Sequence, residues 1–251
     1  MKHICIAVIF LISGLKISAQ VLNIERERIK TDTVGWSGTG TVTFDLIKNT
    51  KQLTKAGLGL HVQYKTERSL YLALSDYELI KTGADDFSNK GMQHLRYNYK
   101  LTNFVTLEAF TQAQFNKVLQ IDFRGLAGVG PRFKLLGANQ FRMYAGTAYM
   151  FEYEKPSGDL DPEYNHRLSS YLSFTFRISD NLTVINTSYY QPCFKPFSDY
   201  RLSHNLDLLF KISRNLSYSL ALEHLTDSHP IEGIPKQVYS LKNKLVIDFG
   251  K

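Results

Sequence analysis

From Trp36 to Phe249 apolar and polar residues exchange places at every second position, in stretches of ten residues or more separated by polar turns. A period of two sends successive side chains to opposite faces of a sheet, so the chain reads as strand after strand. The segments fall at 36–47, 54–65, 68–81, 91–101, 104–119, 123–136, 140–154, 166–178, 181–191, 200–212, 215–225 and 237–249, twelve in all. Such lengths suit a tilted strand crossing a bilayer and exceed those of an ordinary globular strand. Beyond the first nineteen residues no run approaches about 18 consecutive apolar residues, so any crossing is made by strands and not by a helix.

Those first nineteen residues have the pattern of an export leader. Lys2 and His3 give a positive start, Ile4 to Ile12 an apolar core, and Ser18-Ala19 a small-residue cleavage site that leaves Gln20 first. The expected organisation is a signal peptide at 1–19, a lead-in at 20–35 that is either periplasmic or lumenal, and a barrel at 36–251. Cys5 leaves with the leader, and Cys193 then has no partner for an intramolecular disulfide. It reads as a filler residue near a loop. Loss of Lys2 and Lys16 lowers the formal charge from +7 to +5. That balance suits an anionic neighbour such as lipopolysaccharide. The bases are scattered along the chain, with no patch of the kind nucleic acid requires, so no nucleic-acid partner is expected.

The turns carry a recurring phrase. Lys100-Leu-Thr-Asn-Phe104, Arg177-Ile-Ser-Asp-Asn-Leu182 and Lys211-Ile-Ser-Arg-Asn-Leu216 each set a base, small polar turn formers and an apolar residue opening the next strand. These phrases and looser copies follow even-numbered strands. The longer connections 82–90, 155–165, 192–199 and 226–236 follow odd-numbered ones. Outer-membrane barrels have short periplasmic turns and longer outer loops. The parity therefore predicts an all-β fold: a single antiparallel transmembrane β-barrel of about 12 strands with both termini periplasmic.

Alternation assigns two faces. Strand 7 sets Tyr149, Phe151 and Tyr153 against Arg142, Glu152 and Glu154; strand 12 sets Leu241, Leu245 and Phe249 against Ser240, Lys242 and Lys244. A lipocalin-like barrel would show the same pattern with its apolar face inward. Aromatic residues gathered at strand ends (Trp36, Phe104, Phe141 and Phe249 at one, Phe151, Tyr153, Tyr189 and Tyr190 at the other) favour girdles at two membrane interfaces. Phe249, which closes an alternating strand two residues before the C-terminus, fits the terminal signal read by barrel-assembly machinery. An open sheet of this size would expose its edges to lipid, so membrane residence requires closure.

The phrases TDTVGW, HVQYKT, HLRYNYKL, GPRFKL, RLSSYLSFTF and YYQPCFKPFSDYR resemble the domain of unknown function 481 family. These are Gram-negative outer-membrane barrels sometimes called salt-induced outer membrane proteins, and the form here resembles the Bacteroidetes branch. The resemblance covers nearly all of the chain beyond the leader. It implies fold and location, and assigns no residue a role.

The chemistry then sits in the inward face. Arg96, Glu108, Arg132, Lys134, Arg142, Glu152, Arg177 and Lys242 are expected to line the lumen, in a set with roughly twice as many bases as acids. A water-filled lumen of that kind favours anions. The same side chains could instead fill the barrel as a non-conducting ion-pair network, since twelve strands lie between the filled eight and the open sixteen. An envelope role under osmotic or ionic stress fits that second case. An outer-rim lipid hydrolase is the alternative of another class, centred on His166 with Ser169 and Ser170 nearby, but Ser169 faces away from His166 and Ser170 lies about 13 Å along the strand. Asp159, Asp161, Glu163 and Asn165 alternate like calcium ligands but lack the glycine bend and the closing glutamate. His204 lies on the apparent lipid face, where a position near the rim lowers its cost. The expectation is a monomer in outer-membrane lipid with no cofactor, no metal and no catalytic residue.

Overall fold

A computed structural model describes residues 34–48, 52–82 and 86–250. The leader and residues 20–33 of the lead-in lie outside the described residues. Twelve strands follow in order: β1 (Gly35–Lys48), β2 (Gln52–Lys65), β3 (Ser69–Thr82), β4 (Asp86–Lys100), β5 (Val105–Asn116), β6 (Ile121–Gly137), β7 (Phe141–Pro156), β8 (Glu163–Arg177), β9 (Leu182–Pro192), β10 (Tyr200–Lys211), β11 (Leu216–Asp227) and β12 (Gln237–Gly250). Each pairs antiparallel with its sequence neighbours, and β1 closes on β12 with Ser37 opposite Gly250 and Thr43 opposite Lys244. Closure leaves no edge along the wall.

An even strand number brings the start of β1 and the end of β12 to one end of the barrel. That end also holds the turns 66–68, 101–104, 138–140, 178–181 and 212–215, and is called the turn end below. At the opposite, loop end the longer connections are 157–162, 193–199 and 228–236. The expected loop at 82–90 is mostly strand. β3 runs to Thr82 and β4 begins at Asp86, with Lys90 directly opposite Glu78 in the ladder. Lys90, polar and therefore loop-like in the sequence, is buried on the lumen side of this strand. The 155–165 connection is also shorter than expected, with Glu154 opposite Glu163 and Tyr153 opposite Tyr164.

The two faces are sharply different. Leu95, Leu172, Leu241, Leu245 and Ile247 point outward and are 43–56% exposed, whereas the intervening His94, Ser173 and Lys242 are at most 3% exposed. A barrel that turns its apolar side chains out and buries its charges is inverted relative to a water-soluble one. Two aromatic belts complete the outer face. Trp36, Tyr64, Tyr71 and Tyr97 form a ladder across β1 to β4 at the turn end, with successive ring centroids 4.9, 6.5 and 5.0 Å apart. Near the loop end Tyr149 stacks on Phe194 and Tyr153 meets Tyr164.

Phe249 lies on the outer face at the closing seam, its ring over Gly38, where a β-carbon would come within 2.4 Å of it. Inside, Gly146 on β7 makes room for the ring of Tyr171, which passes over it to reach β5. Any side chain at Gly146 would occupy that path.

Candidate functional site: the charged lumen and its two ends

Buried charge requires partners, because stripping an ion of water costs several kcal/mol unless another charge and further hydrogen bonds replace it. Among the described residues the lumen meets this demand in three clusters.

The first crosses the loop half. Arg201 on β10 donates to Glu152 and Glu154 on β7 and to Asp227 at the end of β11, with the last two contacts at 3.0 and 2.8 Å. Arg167 on β8 donates to Glu152 at 3.3 Å and grips both carboxylate oxygens of Asp199 at 3.2 and 3.3 Å. Arg124 on β6 completes it by pairing with Glu154. Planar guanidinium forks hold several carboxylates in fixed geometry, which a lysine could not do. Asp199 belongs to the 193–199 loop, so this loop is anchored inside the barrel rim.

The second lines the opposite wall. Lys242 on β12 meets Glu223 on β11 at 2.8 Å and Glu78 on β3 at 3.5 Å. Glu78 also holds Lys90 at 3.1 Å, and Glu223 holds Lys244 at 3.6 Å. The third lies nearer the turn end. Glu108 on β5 receives Arg96 at 3.0 Å, the Tyr171 hydroxyl at 2.9 Å and Arg132 at 3.6 Å. Arg96 lies over Phe110 and Arg132 over Tyr144, with guanidinium carbons 4.8 and 3.8 Å from the ring centres.

The lumen ends differently at its two mouths. At the loop end the 228–236 connection folds inward, and Ile231 and Ile234 pack on Leu119, Ile121 and Leu225. Leu119 and Ile121 flank the start of β6, five strands round the barrel from β11, so the loop spans the mouth. At the turn end a cavity of about 330 Å³ opens among Lys65, Arg68, Lys100, Arg132, Lys134 and Arg142, with Glu67 the acid in its lining among the described residues.

The eight residues expected in the lumen thus divide by height. Arg96, Glu108, Arg132, Glu152 and Lys242 are buried in the ion-pair clusters. Lys134 and Arg142 line the turn-end cavity. Arg177 ends β8 on the face of Ser173 and is exposed at the turn end. Sequence reasoning missed Glu78 and Lys90, and the acids Asp199 and Asp227 that serve the arginines from loop positions.

The structure brings neither Ser169 nor Ser170 to His166. The Tyr149 hydroxyl lies 2.6 Å from His166 Nδ1, Ser170 bonds to Thr147 at 3.1 Å, and Ser169 faces inward to Gln191. His204 on the outer face bonds to Ser188 at 2.7 Å.

A family model described as "Protein of unknown function, DUF481" matches residues 48–249. The chain belongs to this family. No curated protein matches it. Among solved structures, the DUF481 barrel is similar to a COG4313 outer membrane channel from Pseudomonas putida F1, with a TM-score of 0.57, 11% identity, and coverage of 92% of this chain and all of that one. It is also similar to the NanC porin, with a TM-score of 0.52 and 11% identity over 86% of this chain and all of the porin. The translocator domain of the autotransporter NalP from Neisseria meningitidis gives 0.50 at 8% identity, over 89% of this chain and 91% of that domain. At such identities the likeness is one of fold.

Proposed function

We propose that the DUF481 barrel is a narrow, anion-leaning channel of the Gram-negative outer membrane, drawn here in its closed state. One observation carries the reading. A polar lumen runs from a basic mouth to a mouth covered by two isoleucines of a single loop. An apolar seat so small is the kind of closure a few kcal/mol can undo. The barrels described as a porin and a channel support it by likeness of fold. In this reading the turn end and both termini face the periplasm, and the 193–199 and 228–236 loops face outward.

Burial of nearly all the central charges favours a second reading, a non-conducting barrel whose ion pairs stiffen the envelope under osmotic or ionic stress. Single-channel recording of refolded protein in planar bilayers, across a potassium chloride gradient, separates the two. Discrete openings whose reversal potential shows chloride preference support the channel. A silent membrane, with folding shown by heat-shifted gel mobility, sinks the channel and leaves the strut.

A further inference from the structure

We propose that the 193–199 loop is a strap across the barrel rim, seated outside on the lipid of the outer leaflet, where acyl chains meet headgroups, and inside on Arg167. Each seat then depends on the other. The inference rests on the membrane part of the reading above and not on conduction.

The strap begins as a continuation of β9. Beyond Pro192 the pairing with β8 persists for one more position, with Cys193 opposite Arg167. Alternation then sends successive side chains to opposite sides of the wall. Cys193 turns inward, 1% exposed, and its thiol donates to the Asp199 carboxylate at 3.3 Å. Phe194 turns outward, where its ring stacks on Tyr149 with centroids 6.2 Å and planes 18° apart. Its N–H donates to the His166 carbonyl at 2.8 Å, which fixes the backbone against β8. The chain then doubles back. The Cys193 N–H donates to the Asp199 carbonyl at 2.7 Å, and the Asp199 N–H donates to the Pro196 carbonyl at 3.1 Å. Asp199 thereby enters the rim, where Arg167 holds both of its carboxylate oxygens.

Outside and inside are joined through one residue. Cys193 is covalently next to Phe194 and is bonded to Asp199 by its backbone and its thiol. So short a hairpin has little slack, and lifting either end moves the other.

The outer seat has an apolar chemistry. Phe194 and Tyr149 are 46% and 45% exposed. The rings continue along the rim, with His166 5.8 Å from Tyr149, Phe151 5.5 Å from His166 and Tyr164 6.4 Å from Phe151. Phe194 therefore extends the loop-end aromatic belt, a face already read as lipid-facing. The Tyr149 hydroxyl is taken up by His166 Nδ1 at 2.6 Å, so the patch presents ring faces more than polar tips. Such a surface suits the boundary between acyl chains and headgroups and is costly in water.

The test places an indole at the outer seat: Phe194→Trp in a Trp36→Phe background, as refolded full-length protein in phosphatidylcholine vesicles, with folding checked by heat-shifted mobility. Lipids brominated near the headgroup end of the acyl chain are expected to quench it more strongly than lipids brominated near the chain terminus. Asp199→Asn, which weakens the inner seat, should then raise its quenching by aqueous iodide about two-fold. In the other direction, Phe194→Ser should speed iodoacetamide alkylation of Cys193, read on its peptide by mass spectrometry, about ten-fold. Leu95→Ser, on the outer face of β4, should not. Iodide quenching without a bromolipid effect, or shielding from both quenchers by a protein surface, overturns the lipid seat. Indifference of the indole to Asp199→Asn, or of Cys193 to Phe194→Ser, overturns the coupling. Bromolipid quenching of wild-type Trp36 with none at the Phe194→Trp indole discards the strap and keeps the membrane barrel. Quenching of neither discards both.

Discussion

Lys242 on β12 reaches Glu78 on β3 at 3.5 Å although β1 and β2 lie between them in the wall. The reach is made over small residues: Thr41 and Thr43 on β1 and Gly57 and Gly59 on β2 line the lumen beneath the pair. A β-carbon at Gly59 would lie 2.2 Å from the Thr41 hydroxyl and 2.5 Å from a carboxylate oxygen of Asp76, so the wall is thin there by construction. The ion pair substitutes for the side chains those positions lack.

That arrangement makes Glu78 a keystone for two lysines, since Lys90 and Lys242 both lean on it. Glu78→Gln removes the charge and keeps the shape, leaving two buried ammonium groups short of a partner. Breaking one member of a buried pair costs about 3–5 kcal/mol. Urea unfolding of the refolded barrel should show a loss of that size. The double change Glu78→Gln with Lys90→Met should cost less than the two single changes added. A loss under about 1 kcal/mol, the worth of a surface pair, would mean that water already screens the cluster.

The loop-end cap makes a separate prediction. Replacing Ile231 and Ile234 together by Asp sets two carboxylates against the apolar side chains of Leu119, Ile121 and Leu225, which cannot replace their lost hydration. Partial burial of two isoleucines contributes about 3 kcal/mol to holding the loop down. Its removal should shift the ratio of open to closed time about 100-fold toward open in single-channel records. An unchanged open probability would show that the mouth is closed elsewhere, at the Arg201 and Arg167 clusters.

How far alternation reads the barrel depends on what faces the lumen. In β4, β7, β8 and β12 the lumen side is polar, and the pattern assigns His94, Arg96, Glu152, Arg167 and Lys242 inward as the structure places them. In β3 it fails. Leu72, Leu74 and Ile80 point inward while Tyr71, Tyr77 and Leu79 point outward, so both faces are apolar and Glu78 carries no mark of its side. Asp199 and Asp227 are equally hidden, because acids next to turn residues read as solvated loop and only folding brings Arg167 and Arg201 to them. The cap left one local trace: Ile231 and Ile234 stand between Pro230 and Pro235 in an otherwise polar connection.

Cys193 lies past the end of β9, in the 193–199 loop, and is 1% exposed beside Asp199. Burial pushes its thiol up to about 11, and the neighbouring Asp199 carboxylate adds to that while Arg167 opposes it. The thiolate is the reactive form. Near pH 8 a thiol at about 11 holds roughly 100-fold less thiolate than one at the ordinary 9.0. Iodoacetamide should therefore alkylate the folded barrel at least about 100-fold more slowly than the urea-unfolded chain. The sign for stability is fixed by the same shift. The folded state holds this proton more tightly, so the contribution is whole below about pH 9 and is lost as pH rises through about 11. Equal alkylation rates in the two states would show that the loop does not stay seated on Arg167.

Trp36 is the chain's one tryptophan, 66% exposed on the outer face at the turn end and packed on Tyr64. An indole prefers the level of the lipid headgroups, where its ring lies in apolar surroundings and its N–H stays wet. If the apolar outer face is a lipid face, emission from refolded protein in vesicles comes from a ring at that depth. Lipids brominated near the headgroup end of the acyl chain should then quench it more strongly than lipids brominated near the chain terminus. Aqueous iodide should quench it only partly. The same protein unfolded in urea should lose all sensitivity to the bromine position. Strong iodide quenching with no bromolipid effect in vesicles would place Trp36 in water. The aromatic ladder would then not mark a membrane boundary, and the assignment of the outer face to lipid would fall with it.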